Sequence, residues 1–286
     1  MPTKTEKDAV TGTMTTGHEW DGIKELNTPL PKWWIYVFYA TIVWAAAYYV
    51  FYPSLPWVRG IAGWSQRGEL AEKLAAERER VRPMLERIRA MPIADLQRSA
   101  ELRDFAFAGG RAAFADNCAP CHGAGGAGAK GGFPALVDDE WIWGGDLAAI
   151  QRTITYGVRS GHAETRTSQM PRFGADALLT PAQISDVAEH VLSLSGRSTN
   201  AAAAGRGKAT YADQCVACHG DTGRGNPEQG GPSLVDQVWL YGSDKASIER
   251  SVYLGRGGVM PAWTERLDEA TIKMLTLYVH SLGGGR

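Results

Sequence analysis

The pattern Cys-x-x-Cys-His occurs twice in this 286-residue chain, at 118–122 and at 215–219, and accounts for all four cysteines. Two cysteines three positions apart can form thioether bonds with both vinyl groups of a haem while the next histidine approaches the iron. A zinc site or a thioredoxin-like redox pair fits less well, because the histidine is repeated and further ligand pairs are absent. The pattern therefore predicts two covalently bound haem c groups, with attachment residues Cys118, Cys121, Cys215 and Cys218 and axial iron ligands His122 and His219.

The two motifs lie in an internal repeat. Pro134–Asp138 recurs as Pro232–Asp236, and each copy continues with a predicted middle helix and a Met-Pro loop. Each copy closes with a predicted amphipathic helix, at Pro181–Leu194 and at Glu269–Leu282. Units this short bury little surface by themselves and need the haem as part of the core. The order of elements resembles the class I cytochrome c fold.

The remaining axial ligand of each iron is predicted from position. Met170 and Met260 occupy equivalent places in the two copies, each directly before a proline. A thioether ligand stabilises ferrous iron and raises the reduction potential. Since a lone methionine is more often core filler, it is the repetition that predicts Met170 and Met260 as axial ligands. His162, in a first-copy insertion, is an alternative to Met170.

Partners of the haems follow from the same positions. A metal-bound histidine usually donates its other ring N–H to an acceptor. Resemblance to class I cytochromes c implies that the carbonyls of Pro134 and Pro232 are those acceptors. Candidates for binding the haem propionates, with core packing as the alternative for the tryptophans, are Trp141, Trp239, Arg152 and Arg250.

Residues 33–52 form an uncharged apolar stretch of aromatic and aliphatic side chains. A helix of this length spans roughly 30 Å and can cross a bilayer. The stretch is longer than the apolar region of a cleaved signal peptide, so we expect an uncleaved anchor. The flanking charges do not decide its orientation. Because bacteria attach haem outside the cytoplasmic membrane, we expect a single-pass inner-membrane protein in contact with lipid, with its N-terminus cytoplasmic and its haem domains periplasmic.

The segment Glu69–Met91 is rich in Ala, Leu, Glu and Arg and predicts a spacer or subunit-contact helix, interrupted at Pro83. The whole sequence predicts a mainly α-helical chain with one transmembrane helix, a linker helix and two class I cytochrome c-like domains in tandem. The predicted division is a cytoplasmic N-terminus 1–32, an anchor 33–52, a periplasmic helical linker 53–103, a first cytochrome c domain 104–196, an interdomain linker 197–206 and a second domain 207–286.

Charge excludes one class of partner. The net charge is -1 and no segment is strongly basic, so nucleic-acid binding is not expected.

Residues 104–196 carry 6 basic and 10 acidic side chains, and haem propionates add further negative charge. A basic donor cytochrome would be attracted to this surface.

The segment DGIKELNTPLPKWW at 21–34, followed by FYATIVW at 38–44, resembles the start of the dihaem subunit of cbb3-type cytochrome c oxidases, CcoP or FixP. The resemblance continues through the linker and both haem domains. It implies a subunit that accepts electrons from a soluble cytochrome c or similar donor. Electrons would then pass through the monohaem subunit to the catalytic subunit, which reduces oxygen and pumps protons. By itself the chain would not be an enzyme.

Two other functions are alternatives for a chain with two haem c motifs. A dihaem peroxidase needs a haem with an open or labile position, which the paired Met-Pro loops disfavour. A free-standing membrane-anchored dihaem electron shuttle needs no stable complex and is left open by the sequence.

Overall fold

The computed structural model describes residues 4–55, 57–129 and 131–283. The other residues, which include both ends of the predicted domain division, lie outside this description. The chain divides into two units, Met1–Arg80 and Val81–Arg286. Regular structure in the described residues is almost entirely helical, so the predicted fold class is confirmed.

In the first unit, a β-hairpin that was not expected from the sequence precedes the predicted membrane span. Strands β1, Thr15–Trp20, and β2, Ile23–Leu26, pair antiparallel. The turn consists of Asp21 and Gly22, with φ of 50° and 83°. An Asp-Gly pair with left-handed backbone at both positions matches the twist of a two-residue hairpin. The sequence signal was therefore the Asp-Gly dipeptide itself.

Helix α1, Lys32–Phe51, corresponds to the predicted span within one residue. Among the described residues it is the one helix long and apolar enough to cross a membrane, and none of its residues is buried within the protein. Tyr48 and Tyr52 stack near its C-terminal end, with ring centroids 4.7 Å apart. Aromatic rings at this position fit the polar boundary of a bilayer.

Helix α2 spans Gln66–Ala90, close to the predicted 69–91. The expected interruption at Pro83 is wrong, because the helix continues through this residue. Proline inside a helix removes one hydrogen-bond donor and favours bending. The surrounding run of strong helix formers sustains the helix on both sides. Helix α3, Ile93–Arg98, follows directly.

The second unit contains the two copies of the repeat. Its further helices are α4 (Ala100–Asn117), α5 (Ala119–His122), α6 (Leu147–Tyr156), α7 (Pro181–Leu194), α8 (Ala201–Gln214), α9 (Val216–His219), α10 (Lys245–Leu254) and α11 (Glu269–Leu282). The two terminal helices have the predicted bounds. The predicted linker 197–206 is shorter than expected because α8 already begins at Ala201. Asn200 caps this helix, since its side-chain oxygen accepts from the Ala203 N–H at 3.0 Å.

The helices pair in an unexpected way. From the repeat we expect α4 to pack on α7 and α8 on α11, each within one copy. Instead α4 packs on α11, and α7 packs on α8. Both crossings use a glycine: a β-carbon at Gly110 would lie 2.2 Å from the Met274 carbonyl oxygen, and one at Gly207 would lie 2.1 Å from the Asp186 carbonyl oxygen. The C-terminal helices of the two copies are thus exchanged.

Each haem-motif segment has its own apolar core within this exchanged arrangement. One cluster combines α4 and α6 with α11, through Phe114, Ile150 and Leu275. Another combines α7 with α8 and α10, through Val187, Tyr211 and Ile248. A third joins the end of α2, α3 and α4 to α11, and its buried residues are Ile88, Leu96, Leu102, Ala106, Ala270, Met274 and Leu277.

Candidate haem-binding sites

The two Cys-x-x-Cys-His motifs have the same local structure. Each begins at the C-terminal cap of a long helix, α4 or α8, and continues into a one-turn helix that ends at the histidine. The His122 N–H donates to the Cys118 carbonyl at 2.9 Å, and the His219 N–H donates to the Cys215 carbonyl at 2.9 Å. This turn presents both cysteines and the histidine of each motif as one unit.

Each histidine is fixed by a proline carbonyl. The Nδ1 atom of His122 lies 3.0 Å from the Pro134 carbonyl oxygen, and that of His219 lies 2.9 Å from the Pro232 carbonyl oxygen. Since a carbonyl only accepts, each Nδ1 is the donor. The Nε2 lone pair is then free to bind iron. We call the residues around His122 the first haem site and those around His219 the second haem site.

Glycines between the histidine and the proline build this geometry. The Gly128 N–H donates to the His122 carbonyl at 2.7 Å, and the Gly225 N–H donates to the His219 carbonyl at 2.8 Å. Their φ values of +75° and +86° are strained for other residues. The chain then passes each histidine in a loop that contains the proline. We call residues 131–136 the first proline loop and residues 230–234 the second proline loop.

Burial is the main influence on the pKa of the first cysteine and of the histidine in both motifs. Burial is the main cause that raises the pKa of the Cys118 and Cys215 thiols to about 11 each. Burial also lowers the pKa of His122 and of His219, with the bond to the proline carbonyl acting in the opposite direction. Both imidazoles are therefore held neutral, as a metal ligand must be.

The two methionines lie in the haem site of the other copy. Met260 packs against the cluster that contains Cys118 and Phe114, and Met170 packs against the cluster that includes Tyr211 and borders Cys215. The sequence analysis treats each copy as a self-contained domain, which places Met170 with His122. The structure instead groups Met260 with the first motif and Met170 with the second.

Backbone contacts hold this exchange in place. The Val158 N–H donates to the Met260 carbonyl and the Met260 N–H donates to the Val158 carbonyl, both at 2.9 Å. A β-carbon at Gly157 would lie 2.3 Å from the Met260 carbonyl oxygen, and one at the equivalent Gly255 would lie 2.6 Å from the Met170 carbonyl oxygen. Since equivalent atoms meet in both copies, the exchange is reciprocal.

Comparison with known proteins covers the whole chain. The family "N-terminal domain of cytochrome oxidase-cbb3, FixP" matches residues 12–59, and the family "Cytochrome C oxidase, cbb3-type, subunit III" matches residues 105–191 and 202–279. The chain belongs to the CcoP/FixP family of cbb3-type oxidase subunits. Each of the two cytochrome matches contains one Cys-x-x-Cys-His motif, which agrees with haem c binding.

Curated CcoP and FixP proteins are similar over nearly their full length. The cbb3-type cytochrome c oxidase subunit CcoP of Azospirillum brasilense is 51% identical and covers 98% of this chain and 99% of its own length. Subunit FixP of Bradyrhizobium sp. (strain ORS 278) is 51% identical over 100% of both chains. Subunit CcoP of Cereibacter sphaeroides is 44% identical over 95% of both.

The predicted propionate residues of this CcoP/FixP family member differ in their surroundings. Trp239 donates from Nε1 to the Asp236 carbonyl at 2.8 Å. The Nε1 atom of Trp141 is buried and has no hydrogen-bond partner among the described residues. Arg152 and Arg250 are exposed on α6 and α10. Of the four, Trp141 offers an unused buried donor, which fits the carboxylate of a haem.

His162, the alternative to Met170, is occupied elsewhere. Its ring lies 4.9 Å from that of Tyr156, and its Nδ1 atom accepts from the Glu164 N–H at 3.0 Å. His190 is also accounted for, because it packs on Tyr211 with ring centroids 5.0 Å apart.

The sequence analysis missed a group of polar side chains beside the haem sites. Arg256 Nε and Asp138 Oδ1 are buried without a hydrogen-bond partner among the described residues. Trp143 and Tyr241 stand at equivalent places, two residues after the predicted tryptophans, and this repetition was a usable signal. Together with Trp141, these unsatisfied atoms indicate that the sites fit a group with its own polar substituents.

Proposed function

We propose that this chain is the dihaem electron-transfer subunit of a cbb3-type oxidase and carries two covalently bound haem c groups. Cys118 and Cys121 would hold the first haem, with His122 as one axial ligand, and Cys215 and Cys218 would hold the second with His219. The observation that carries this proposal is the doubled hydrogen bond from a motif histidine to a proline carbonyl. Haem iron supplies reversible one-electron exchange.

We further propose that the methionine ligands are exchanged, so that Met260 serves the first haem and Met170 the second. Support comes from the packing of each methionine against the motif of the other copy. The thioether favours ferrous iron and suits electron delivery to an oxidant. Each haem site would therefore need both copies of the repeat, one for its histidine and the other for its methionine.

The chain itself would not reduce oxygen. With His122 and His219 and the two methionines as ligands, neither iron would keep an open position, which would also disfavour peroxidase chemistry. The described residues contain one helix that could span a membrane, and we propose that the catalytic centre lies in another subunit. Oxygen reduction and proton translocation would belong to the catalytic subunit, reached through the monohaem subunit.

The proposed topology places residues 1–32 in the cytoplasm and the haem-bearing unit in the periplasm. Support comes from the compartment in which bacteria attach haem c and from the apolar surface of α1, which would contact lipid. There the haem domains would meet a soluble or membrane-bound cytochrome c.

A basic donor would be steered by acidic side chains near the first proline loop. Asp138, Asp139, Glu140 and Asp236 lie close enough for their charges to interact, and mutual repulsion together with burial raises the pKa of Asp138 and of Glu140. Burial is the larger cause for both carboxyls. Electron entry from a basic donor should therefore slow as salt rises.

The test combines three measurements on the full-length chain. Mass spectrometry of the denatured chain should show two haem additions, and fewer would refute the dihaem proposal. The purified, reduced chain should be reoxidised slowly by oxygen, whereas adding the oxidase core subunits should restore fast turnover. Equal turnover with and without this chain would refute its place as the entry point. Migration apart from the core subunits on a haem-stained native gel would favour the free-standing shuttle.

A further inference from the structure

Two arginine–aromatic pairs lie between the proposed haem sites. The guanidinium carbon of Arg166 lies 5.0 Å from the ring centroid of Trp143, and that of Arg256 lies 4.5 Å from the ring centroid of Tyr241. Trp143 and Tyr241 are equivalent in the two copies of the repeat. We call these four residues the inter-site cluster.

Each aromatic residue of the cluster touches the proline loop of the other copy. A β-carbon at Gly230, in the second proline loop, would lie 2.2 Å from the Trp143 ring. A β-carbon at Gly132, in the first proline loop, would lie 2.4 Å from the Tyr241 hydroxyl oxygen. These loops also supply the carbonyls that fix the two histidines. The inter-site cluster therefore borders both haem sites at once.

The two guanidinium groups of the cluster form no ion pair with a protein carboxylate among the described residues, although the charge of Asp146 favours the charged form of Arg166. Both arginines are half-buried. Arg166 Nε donates to the Thr153 hydroxyl at 3.2 Å, and burial is the main cause that lowers the pKa of Arg166. Arg256 Nε is buried without any hydrogen-bond partner there. Such groups are costly unless an anion or another acceptor satisfies them.

A neighbouring arginine provides a contrast. Arg159 is also half-buried, but its Nε donates to the Gly258 carbonyl at 2.7 Å and its Nη1 donates to the Ser168 carbonyl. Its donors join two backbone segments. Arg159 therefore differs from Arg256, whose Nε has no hydrogen-bond partner among the described residues.

We propose that Arg166 and Arg256 bind the propionate carboxylates of the two haems, an inference that rests on the proposed dihaem function. Each haem brings two carboxylates, and guanidinium groups bind carboxylates through paired, charge-assisted hydrogen bonds. The contacts with the rings of Trp143 and Tyr241 hold the two guanidinium groups in place, and a ring face takes up no N–H hydrogen bond of the kind a carboxylate accepts. This assignment replaces the exposed Arg152 and Arg250 as propionate partners.

The proposed contacts have a functional consequence. A cation beside a haem opposes the extra positive charge of ferric iron and so raises the reduction potential. Because the inter-site cluster borders both proline loops, its positive charges would raise the reduction potentials of both haems. Arg166 and Arg256 are positioning residues in this scheme, since they act through the propionates and not on the iron.

The experiment is a redox titration of the full-length chain in detergent, with Arg166→Gln and Arg256→Gln as test variants. Arg166→Lys and Arg256→Lys keep the charge, and Arg111→Gln removes an exposed charge from α4 as the matched control. Each Gln variant should lower at least one midpoint potential by a shift equal to about a tenfold change in the ferrous-to-ferric ratio, which is about 59 mV for one electron. The Lys variants should keep most of the potential, and Arg111→Gln should match the unmodified chain.

Resonance Raman spectra provide a second readout, because the propionate bending bands should shift in the Gln variants and not in Arg111→Gln. Two haems per chain with unchanged potentials and bands in both Gln variants would overturn the proposal. A shift in Arg152→Gln and Arg250→Gln, but not in the test variants, would also overturn it. If a Gln variant does not retain its haem, the matching Lys variant is compared with Arg111→Gln instead. Identical Raman spectra of these two variants would overturn the proposal. Absence of haem from the unmodified chain would refute the proposed function instead.

Discussion

Gly207 in α8 lies against the main chain of Asp186 in α7, so closely that a β-carbon there would stand 2.1 Å from the Asp186 carbonyl oxygen. Gly110 in α4 makes the equivalent contact with Met274 in α11. Both contacts join a motif-bearing helix to a terminal helix, and both partners are exchanged relative to the repeat. The two crossings therefore test the exchanged fold directly.

Gly207→Ala should destabilise the chain by about 1–3 kcal/mol, because the added methyl group meets backbone that cannot move aside cheaply. Gly205→Ala, two residues earlier in the same helix, has no neighbour within 4 Å and should stabilise by about 0.5–1 kcal/mol. Denaturant unfolding of both variants, followed by circular dichroism, provides the comparison. Equal effects of the two substitutions would contradict the close crossing of α7 and α8.

Lys273 is almost fully buried in α11, and its amine holds the end of α2. Its Nζ donates to the Arg89 carbonyl at 2.6 Å and to the Met91 carbonyl at 3.0 Å. Lys273→Met leaves both carbonyls without this donor and should cost about 1–3 kcal/mol in unfolding free energy. Glu269→Gln removes only the exposed partner of the ion pair and should cost less than about 1 kcal/mol. A smaller loss of unfolding free energy from Lys273→Met than from Glu269→Gln would show that the hydrogen bonds from Lys273 to the two carbonyls do not stabilise the chain.

Glu189 makes stability depend on pH. Its carboxylate accepts from the Ser198 hydroxyl at 2.7 Å and from two backbone N–H groups, and it pairs with Lys245 at 3.0 Å. The hydrogen bond from Ser198 is the largest cause that lowers the pKa of Glu189 to about 2. Because the folded pKa lies below the unfolded value near 4.5, the contribution is complete above pH 4.5 and disappears as the pH falls towards 2.

Glu189→Gln should therefore lower the thermal midpoint at pH 7 and have a shrinking effect below pH 4.5. Glu249→Gln, which alters a more exposed partner of Lys245, is the control and should change little at any pH. Calorimetric scans between pH 7 and pH 3 measure both. A loss in Glu189→Gln that stays constant across this range would rule out the ionised carboxylate as its source.

Local structure was well predicted by the sequence, whereas the pairing of helices was not. The bounds of α7 follow from its amphipathic pattern and from the cap at Thr180, and the His–Pro contacts agree with what the resemblance to class I cytochromes c implies. Equivalent positions, however, offer α4 the same kind of partner in α7 as in α11. Sequence periodicity cannot distinguish these two choices.

The physical reason for the exchange lies in the connection between α7 and α8. Residues 195–200 are too few for a long crossover and favour an antiparallel helical hairpin. Glu189 secures this connection through Ser198 and Asn200. Its equivalent in α11 is the buried Leu277, so the two terminal helices differ in charge at this position.

The exchanged ligands lead to a prediction that the simple tandem arrangement contradicts. Met260→His should lower the potential of the haem at His122 by on the order of 0.1 V or more, since axial ligands tune haem potentials over about 0.8 V. The measurement uses a chain in which Cys215→Ala and Cys218→Ala leave only the first attachment motif. In that background Met170→His should leave the titration unchanged, because Met170 packs at the second site.

The reciprocal background, Cys118→Ala with Cys121→Ala, should reverse the two results. Proton NMR of the intact reduced chain with labelled methionine methyl groups covers the case in which a single-haem background does not accumulate. Met260 should then show contacts to protons of the haem bound at Cys118, because its loop is joined to the first site through Val158. Contacts from Met170 to that haem would instead support two self-contained domains, each of which would bind its haem without the other half.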